Sequence, residues 1–255
     1  MDRLKTGVPG FDEHIEGGFP RGRTILLSGG CGTGKTIFGM QFAYNGAMEY
    51  DEPAVFVTLD ERPYLLREDM ARFGWDLEKA EKKGKFVLID ASSAKIGFPS
   101  KEKYSVEHTG INVDKLMLRT LQVINEIDAK RVVIDSLAGL GFQAENENSI
   151  RKSILKISYM LSKPDITTIL TSEIPEQTNH GTGVYSKYGV EEYVADGVIV
   201  LHYSETAQGA MEEFRRTLFI RKMRGTKHTQ EILSMNFTNN GIVIRSPEEA
   251  FSNEL

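Results

Sequence analysis

The amino-acid sequence predicts an α/β fold, with a mostly parallel central sheet flanked by helices on both faces and an antiparallel C-terminal extension. Two observations predict it. Over the first two thirds of the chain, short β-branched segments alternate with helix-length amphipathic segments, which is typical of βαβ units around a parallel sheet. After Gly197, strand-like segments follow one another with polar or glycine-containing connections and no helix between them, which indicates antiparallel pairing.

The individual elements follow from the same patterns. The predicted parallel strands are 24–28, 54–59, 86–89, 131–134 and 166–171. The predicted helices are 36–50, 64–73, 113–128 and 149–161, and in the third of them apolar residues recur near the 3.6-residue period. The predicted antiparallel strands are 198–203, 217–221, 232–236 and 242–244.

One domain is expected to occupy residues 1–255, with its core at about 4–244, because no linker, composition shift or repeat divides the chain. Two polar connections, 92–112 and 173–192, are long for a compact domain. We expect these two segments to be functional or mobile.

The composition excludes several classes of protein. A single cysteine cannot form an internal disulfide, and the first residues lead into no apolar signal segment, so a cytoplasmic location is expected. No apolar run approaches the roughly 20 residues that cross a bilayer, so no membrane span is expected. The net charge of −5 provides no overall attraction for nucleic acid, although a local basic face remains open.

A phosphate-binding loop is predicted between the first strand and the first helix. Residues 29–36 read GGCGTGKT, which fits the pattern G-x-x-x-x-G-K-[ST] directly after a strand. The glycines let successive backbone N–H groups turn inward, and the positive end of the helix points at the same spot. We expect the loop to bind the phosphates of ATP or ADP. The candidate binding residues are Gly30, Cys31, Gly32, Thr33, Gly34, Lys35, Thr36 and Ile37.

Thr36 and Asp135 are candidates for holding Mg²⁺. The Thr36 hydroxyl is expected to ligate the metal ion, while the adjacent Lys35 is expected to reach the β and γ phosphates. Asp135 ends an apolar strand, where an aspartate faces the same crevice as the phosphate loop and can hold the waters of Mg²⁺. An aspartate that merely caps the next turn is the alternative interpretation.

An acidic pair follows the second predicted strand. A carboxylate of Asp60 or Glu61 could polarise a water molecule for in-line attack on the γ phosphate. The alternative is an N-cap and first-turn acid for the helix at 64–73, which Pro63 makes plausible. The sequence does not decide which of the two carboxylates would be the base.

A basic segment covers residues 214–230 and contains no acid. Its cations are Arg215, Arg216, Arg221, Lys222, Arg224 and Lys227, together with His228. The segment could bind nucleic acid, supply cations to a phosphate or form a solvated strand face, and its spacing alone leaves all three open.

Several motifs taken together resemble the KaiC family within the RecA-like ATPases. They are T-G-V-P-G-F-D (6–12), G-G-F-P-R-G (17–22), the phosphate loop, Asp60–Glu61, F-G-W-D-L (73–77), V-I-D-S (133–136), Y-G-V-E-E (188–192) and K-M-R-G-T (222–226). The resemblance runs from about residue 4 to residue 244. It implies a RecA-like P-loop fold and an Mg²⁺-dependent ATPase.

The resemblance also implies an assembly. Members of the family form rings, commonly hexamers, with ATP between neighbouring subunits, so a homohexamer and a further, unidentified protein partner are expected. Lys222, Arg224 and His228 match positions that reach the neighbour's nucleotide, as catalytic cations acting in trans. Asp60 and Glu61 match the family's paired catalytic glutamates with Asp replacing the first, which makes Glu61 the preferred base.

Some features depart from the family's best-known member. The clock protein has two such domains and this chain has one, so a circadian role does not transfer. Its phosphoacceptor Ser and Thr correspond to Glu192 and Tyr193, so autophosphorylation is not expected.

Two alternatives to an ATPase with a regulatory output remain: a nucleotide-gated interaction protein with little turnover, and a RadA-like DNA-binding recombinase paralogue. In the latter, 214–230 or 173–192 would touch DNA, although residues 171–173 lack the glutamine with which recombinases sense the γ phosphate.

Overall fold

The computed structural model describes residues 2–107, 110–142, 144, 146–175, 184–208 and 211–247, with the backbone alone described at 204–208 and 211–214. The strands are β1 (Arg3–Leu4), β2 (Phe19–Pro20), β3 (Thr24–Gly29), β4 (Ala54–Thr58), β5 (Phe86–Asp90), β6 (Arg131–Asp135), β7 (Thr167–Glu173), β8 (Gly197–Gln208), β9 (Met211–Met223), β10 (Leu233–Thr238) and β11 (Gly241–Arg245). The helices are α1 (Lys35–Glu49), α2 (Pro63–Ala71), α3 (Leu77–Lys82), α4 (Ser92–Lys95), α5 (Val113–Ile127), α6 (Glu147–Leu161) and α7 (Glu191–Val194). Asp12–Ile15 and Leu137–Phe142 form 3₁₀ turns.

The described residues form one nine-stranded sheet and a separate two-stranded ribbon of β1 and β2. The order in the large sheet is β11-β10-β9-β8-β3-β7-β6-β4-β5. Strands β8, β3, β7, β6, β4 and β5 pair in parallel, whereas β9, β10 and β11 add to β8 in antiparallel fashion. The predicted fold class, a mostly parallel sheet with an antiparallel C-terminal extension, is confirmed.

Apolar side chains cover both faces of this sheet. Successive residues of a strand point to opposite faces, so Phe56 of β4 packs in one core cluster while Val57 packs in the other. The first cluster includes Phe42 of α1, and the second includes Leu116 of α5 and Ile154 of α6. Burial on both faces explains why the central strands are continuously apolar rather than alternating. No described helix is long and apolar enough to cross a membrane.

Side-chain caps fix where two helices begin, and a proline marks the start of a third. The Asn112 side chain accepts a hydrogen bond from two N–H groups at the start of α5, and Asn146 forms a capping box with Ser149 at the start of α6. Helix α2 starts with Pro63 in its first turn and has Arg62 at its N-cap. Neither Asp60 nor Glu61 caps this helix, so the capping interpretation of the acidic pair is wrong.

The structure adds elements that the sequence pattern does not reveal. Helices α3, α4 and α7 have four to six residues, which is too short for a 3.6-residue period to be visible. The β8–β9 hairpin extends well beyond the predicted segments 198–203 and 217–221, because its outer part is polar and pairs through the backbone. Helix α4 lies in the long connection 92–112. Much of the other long connection, 173–192, lies outside the described residues.

Arg131 at the start of β6 is held by an ion pair with Glu52 and by a hydrogen bond to helix α1, which makes Gly46→Ala a sharp test of packing. Arg131 is fully buried, donates to Glu52 Oε2 at 2.5 Å and to the Phe42 carbonyl at 2.8 Å, and passes directly over Gly46. A Cβ at Gly46 would lie 2.1 Å from Arg131 Nε. Although Ala is normally favoured over Gly in a helix, we expect this substitution to lower the free energy of unfolding by about 3 kcal/mol.

Urea denaturation measures this loss. The matched control is Gly39→Ala in the same helix, where the nearest atom to the new Cβ is a Val133 methyl carbon at 3.0 Å and a smaller loss is expected. Equal stability of the two variants would contradict the proposed clash with Arg131.

Candidate functional site

The predicted phosphate loop lies between β3 and α1, at the carboxyl edge of the parallel strands. Gly34 is the N-cap residue of α1 and has a φ of 102°, a conformation that L side chains rarely adopt. A Cβ at this position would also lie 2.7 Å from Phe237 Cζ on β10. Both constraints demand glycine at the point where the loop enters α1, and the N-terminal end of a helix is a favourable place for an anion.

Lys35 lies along the loop that it would serve. Its Nζ donates to the carbonyl oxygens of Gly29 at 3.0 Å and Gly30 at 2.8 Å. Burial lowers the pKa of Lys35, and the nearby carboxylates of Glu173 and Asp135 act in the opposite direction. The chain thus holds a partly desolvated cation beside the loop backbone, where a phosphate would be the natural counter-charge.

The other loop residues are placed less directly. Thr33 Oγ1 donates to the Gly30 carbonyl at 2.9 Å and so stabilises the turn of the loop itself. Cys31 is exposed. The Ile37 side chain packs against the apolar core, so it faces away from the loop's phosphate side. Their roles as nucleotide-binding residues remain predictions.

The two predicted metal ligands meet at the end of β6. Thr36 Oγ1 donates to Asp135 Oδ2 at 2.8 Å, and Thr171 Oγ1 donates to Asp135 Oδ1 at 2.5 Å. Burial raises the pKa of Asp135, while the two hydroxyl bonds favour its charged form. A hydroxyl and a carboxylate are the hard oxygen ligands that Mg²⁺ prefers, so these residues fit that ion. Among the described residues no group of three or more His, Cys, Asp or Glu side chains is arranged to hold a metal ion by itself, so a bound Mg²⁺ would need further oxygen ligands from phosphate and water.

The two members of the acidic pair differ in their surroundings. Both carboxylate oxygens of Asp60 are engaged: Lys95 Nζ lies 2.6 Å from Oδ1, and Ser136 Oγ donates to Oδ2 at 2.7 Å. The backbone of Glu61 bonds to the Thr58 hydroxyl, but within the described chain no hydrogen bond or ion pair reaches its carboxylate. Partial desolvation raises the pKa of Glu61, and the carboxylates of Asp135, Asp69 and Asp60 raise it further.

The basic segment is divided between two edges of the sheet. Strand β8 runs parallel to β3, and β9 runs antiparallel to β8. Arg216 of β9 pairs with Tyr203 of β8, which lies beyond the phosphate-loop end of β3. Lys222 pairs with Val198, near the start of β3. With a rise of about 3.3 Å per residue, the six residue steps from Arg216 to Lys222 separate the two residues by about 20 Å.

The cations at the end of the sheet away from the phosphate loop have hydrogen-bond or ion-pair partners within the chain. Lys222 Nζ donates to the carbonyl oxygens of Glu192 at 3.0 Å and Ala195 at 2.6 Å. Arg224 pairs with Asp196 at 3.4 Å, and His228 Nδ1 lies 2.9 Å from the Thr229 carbonyl oxygen. The structure therefore brings Lys35, Thr36, Asp135, Asp60 and Glu61 to one edge but does not bring Lys222, Arg224 and His228 to it. Their predicted action on a neighbour's nucleotide stays a prediction.

Arg216 is the loop contact that sequence reasoning missed. Its guanidinium lies between the rings of Tyr203 at 4.6 Å and Phe237 at 4.5 Å. Its Nε also donates to the Gly32 carbonyl of the phosphate loop at 3.4 Å. The basic segment was visible in the sequence. Only the pairing of β8, β9 and β10 reveals that this particular cation buttresses the loop of its own chain.

Comparison with known proteins gives a consistent picture. The family model described as the KaiC ATPase matches residues 4–249. A UPF0273 protein of Methanocaldococcus jannaschii is 40% identical over 248 residues, which cover 96% of each chain. The circadian clock oscillator protein KaiC of Parathermosynechococcus lividus is 37% identical over 244 residues, which cover 96% of this chain but 42% of that relative. The crystal structure of a KaiC-like protein from Pyrococcus horikoshii superposes with a TM-score of 0.81 at 45% identity, covering 96% of this chain and 99% of the other.

Proposed function

Because this chain belongs to the KaiC family of ATPases, we propose that it binds ATP with Mg²⁺ and hydrolyses it in a ring-shaped homo-oligomer with a regulatory output. One observation carries the proposal. Lys35, Thr36, Asp135 and Glu61 converge at the carboxyl edge of the sheet, on three separate segments of the chain. This edge is where ligands of open α/β sheets bind.

Each residue has a distinct task in this proposal. The amides of the phosphate loop and Lys35 hold the phosphate chain, and Lys35 neutralises charge that develops on the γ phosphate. Thr36 and Asp135 would hold Mg²⁺, which would supply positive charge to offset the negative charge of the phosphate chain. Glu61 accepts a proton from the attacking water, since its carboxylate is not already bound and its raised pKa makes it a stronger base.

The ring is proposed from the position of the remaining cations. Lys222 lies about 20 Å along β9 from Arg216 at the phosphate-loop end, and Arg224 follows the same strand end beside Asp196, so these cations are too distant to serve their own chain's nucleotide. A head-to-tail interface would place this edge of one subunit against the nucleotide of the next, and such interfaces close into rings. The trans cations would then stabilise the transferring phosphoryl group as an arginine finger does.

A nucleotide-gated interaction protein is the second candidate. It is supported by Asp60, whose two carboxylate oxygens already bond to Lys95 and Ser136. Asp60 therefore does not have a free carboxylate oxygen with which to activate a water molecule. DNA binding is less well supported, because the cations of the basic segment are split between two edges and several of them bond within the chain.

Subunit mixing tests the ring and the trans cations together. We expect Arg224→Ala to lower ATP hydrolysis at least about tenfold, and Lys35→Ala to be inactive. When the two variants are mixed in equal amounts and reassembled, about a quarter of the interfaces combine an intact phosphate loop with an intact neighbouring Arg224. Phosphate release should therefore recover to about a quarter of the unmodified protein's rate.

Light scattering on the same samples confirms whether rings have formed. Mixed rings without recovered hydrolysis would contradict action in trans. An active monomer would contradict the interfacial site altogether, and ATP-dependent assembly without phosphate release would favour the gated-interaction candidate.

A further inference from the structure

The buried Asp90 carboxylate at the end of β5 organises the segment that follows it. Asp90 is 2% exposed, and it accepts hydrogen bonds from the hydroxyls of Ser92, Ser93 and Ser100 and from the Ser93 N–H. Burial alone would raise the pKa of Asp90, but these donors outweigh it and hold the pKa below its usual range. A charged, fully bonded carboxylate therefore fixes the short helix α4.

Helix α4 ends at Lys95, and its position delivers that side chain to the acidic pair. Lys95 Nζ lies 2.6 Å from Asp60 Oδ1, with the Lys95 and Asp60 side chains 22% and 37% exposed. The ammonium group also lies 5.5 Å from the centre of the Phe142 ring. Because the base of the helix is anchored at Asp90 and Ser136 Oγ holds the other oxygen of Asp60, the two charges meet in one defined geometry.

We propose that Lys95 is a positioning residue that neutralises Asp60, so that the γ phosphate of ATP can approach the acidic pair. The inference rests on the proposed function, in which the terminal phosphate extends from the loop toward Glu61. An unpaired Asp60 would repel that phosphate, whereas ADP ends one phosphate short of the acidic pair and would be affected much less. Lys95 therefore gives the site part of its preference for ATP over ADP.

Equilibrium binding tests this without requiring turnover. The probes are ADP and the β,γ-imido analogue of ATP, each with Mg²⁺, and we expect Lys95→Ala to weaken analogue binding about tenfold while ADP binding changes less than about twofold. Lys95→Arg should restore analogue binding, because it retains the charge. In a protein that already carries Asp60→Asn, adding Lys95→Ala should have little further effect, since the charge that Lys95 neutralises is gone.

The control is Lys101→Ala, which removes an exposed lysine from the same connection, where it has no ion pair in the described structure. Equal weakening of both nucleotides, or an undiminished effect of Lys95→Ala in the Asp60→Asn protein, would overturn the inference. The proposed function can fail separately: a protein that shows the expected binding pattern but releases no phosphate would retain the role of Lys95 and lose the assignment as an ATPase. Absence of nucleotide binding by the unmodified protein would overturn both.

Discussion

Replacing Lys35 with alanine is expected to lower ATP hydrolysis by at least about a hundredfold and to weaken nucleotide binding as well. The side chain is the partly buried cation of the phosphate loop, where its Nζ donates to the carbonyl oxygens of Gly29 and Gly30. Its removal leaves the β and γ phosphates without their nearest positive charge, and losing one preorganised donor to a developing charge typically costs about 10² to 10³ in rate. Phosphate release and nucleotide titration measure the two effects.

A stability measurement separates this loss from unfolding. Lys35 contributes two hydrogen bonds to neighbouring carbonyls, so its replacement should change the free energy of unfolding by only about 1 kcal/mol. Unchanged hydrolysis in a folded Lys35→Ala protein would remove the phosphate-loop assignment, and with it the proposed function.

The second large effect is expected from Glu61→Gln, which keeps the shape of the side chain and removes its basicity. We expect hydrolysis to fall at least about a hundredfold, because a positioned general base contributes about 10² to 10⁴ in rate. Nucleotide binding should persist, since among the described residues Glu61 makes hydrogen bonds through its backbone alone and its side chain supports no other part of the site. Single-turnover phosphate release and nucleotide titration on the same preparation measure both.

The pH profile gives an independent readout for Glu61. Its pKa lies above the ordinary value because of partial desolvation and neighbouring carboxylates, and a base acts only when deprotonated. Hydrolysis by the unmodified protein should therefore decline as the pH falls through that raised pKa, and the residual activity of Glu61→Gln should lack this decline.

Asp60→Asn is the matched comparison for Glu61→Gln. It makes the same carboxylate-to-amide change one residue earlier, where both oxygens are already bound by Lys95 and Ser136. A smaller loss of hydrolysis is expected. A larger loss from Asp60→Asn than from Glu61→Gln would reverse the roles that we assign to the pair.

Much of the fold could be predicted because its signals are local. The buried parallel strands are continuous β-branched segments, and helix α5 repeats apolar residues near the helical period with Asn112 as its cap. The phosphate loop is equally local: its glycines, lysine and threonine are contiguous, and its strand and helix adjoin it. Resemblance to the KaiC family extended these predictions, and the comparison with known proteins confirmed the family.

The acidic pair illustrates what local signals cannot resolve. Asp60 and Glu61 are adjacent and chemically similar, so the sequence leaves the choice of base open. The structure distinguishes them through Lys95, 35 residues away on α4, and Ser136, 76 residues away after β6. The segments that carry these contacts meet only when β4, β5 and β6 pair in the sheet.

The sequence by itself determined the α/β class, the positions of the main strands along the chain and the phosphate loop, since each depends on residues that are neighbours along the chain. Only the tertiary structure decided that the Asp60 carboxylate is already hydrogen-bonded while the Glu61 carboxylate is not, and that Arg216 supports the phosphate loop of its own chain. It also decided that Lys222 lies at the end of the sheet away from the phosphate loop. The physical reason is that strand order and register set which distant side chains meet. A change of register would send the same residues to different edges and faces without altering the local pattern.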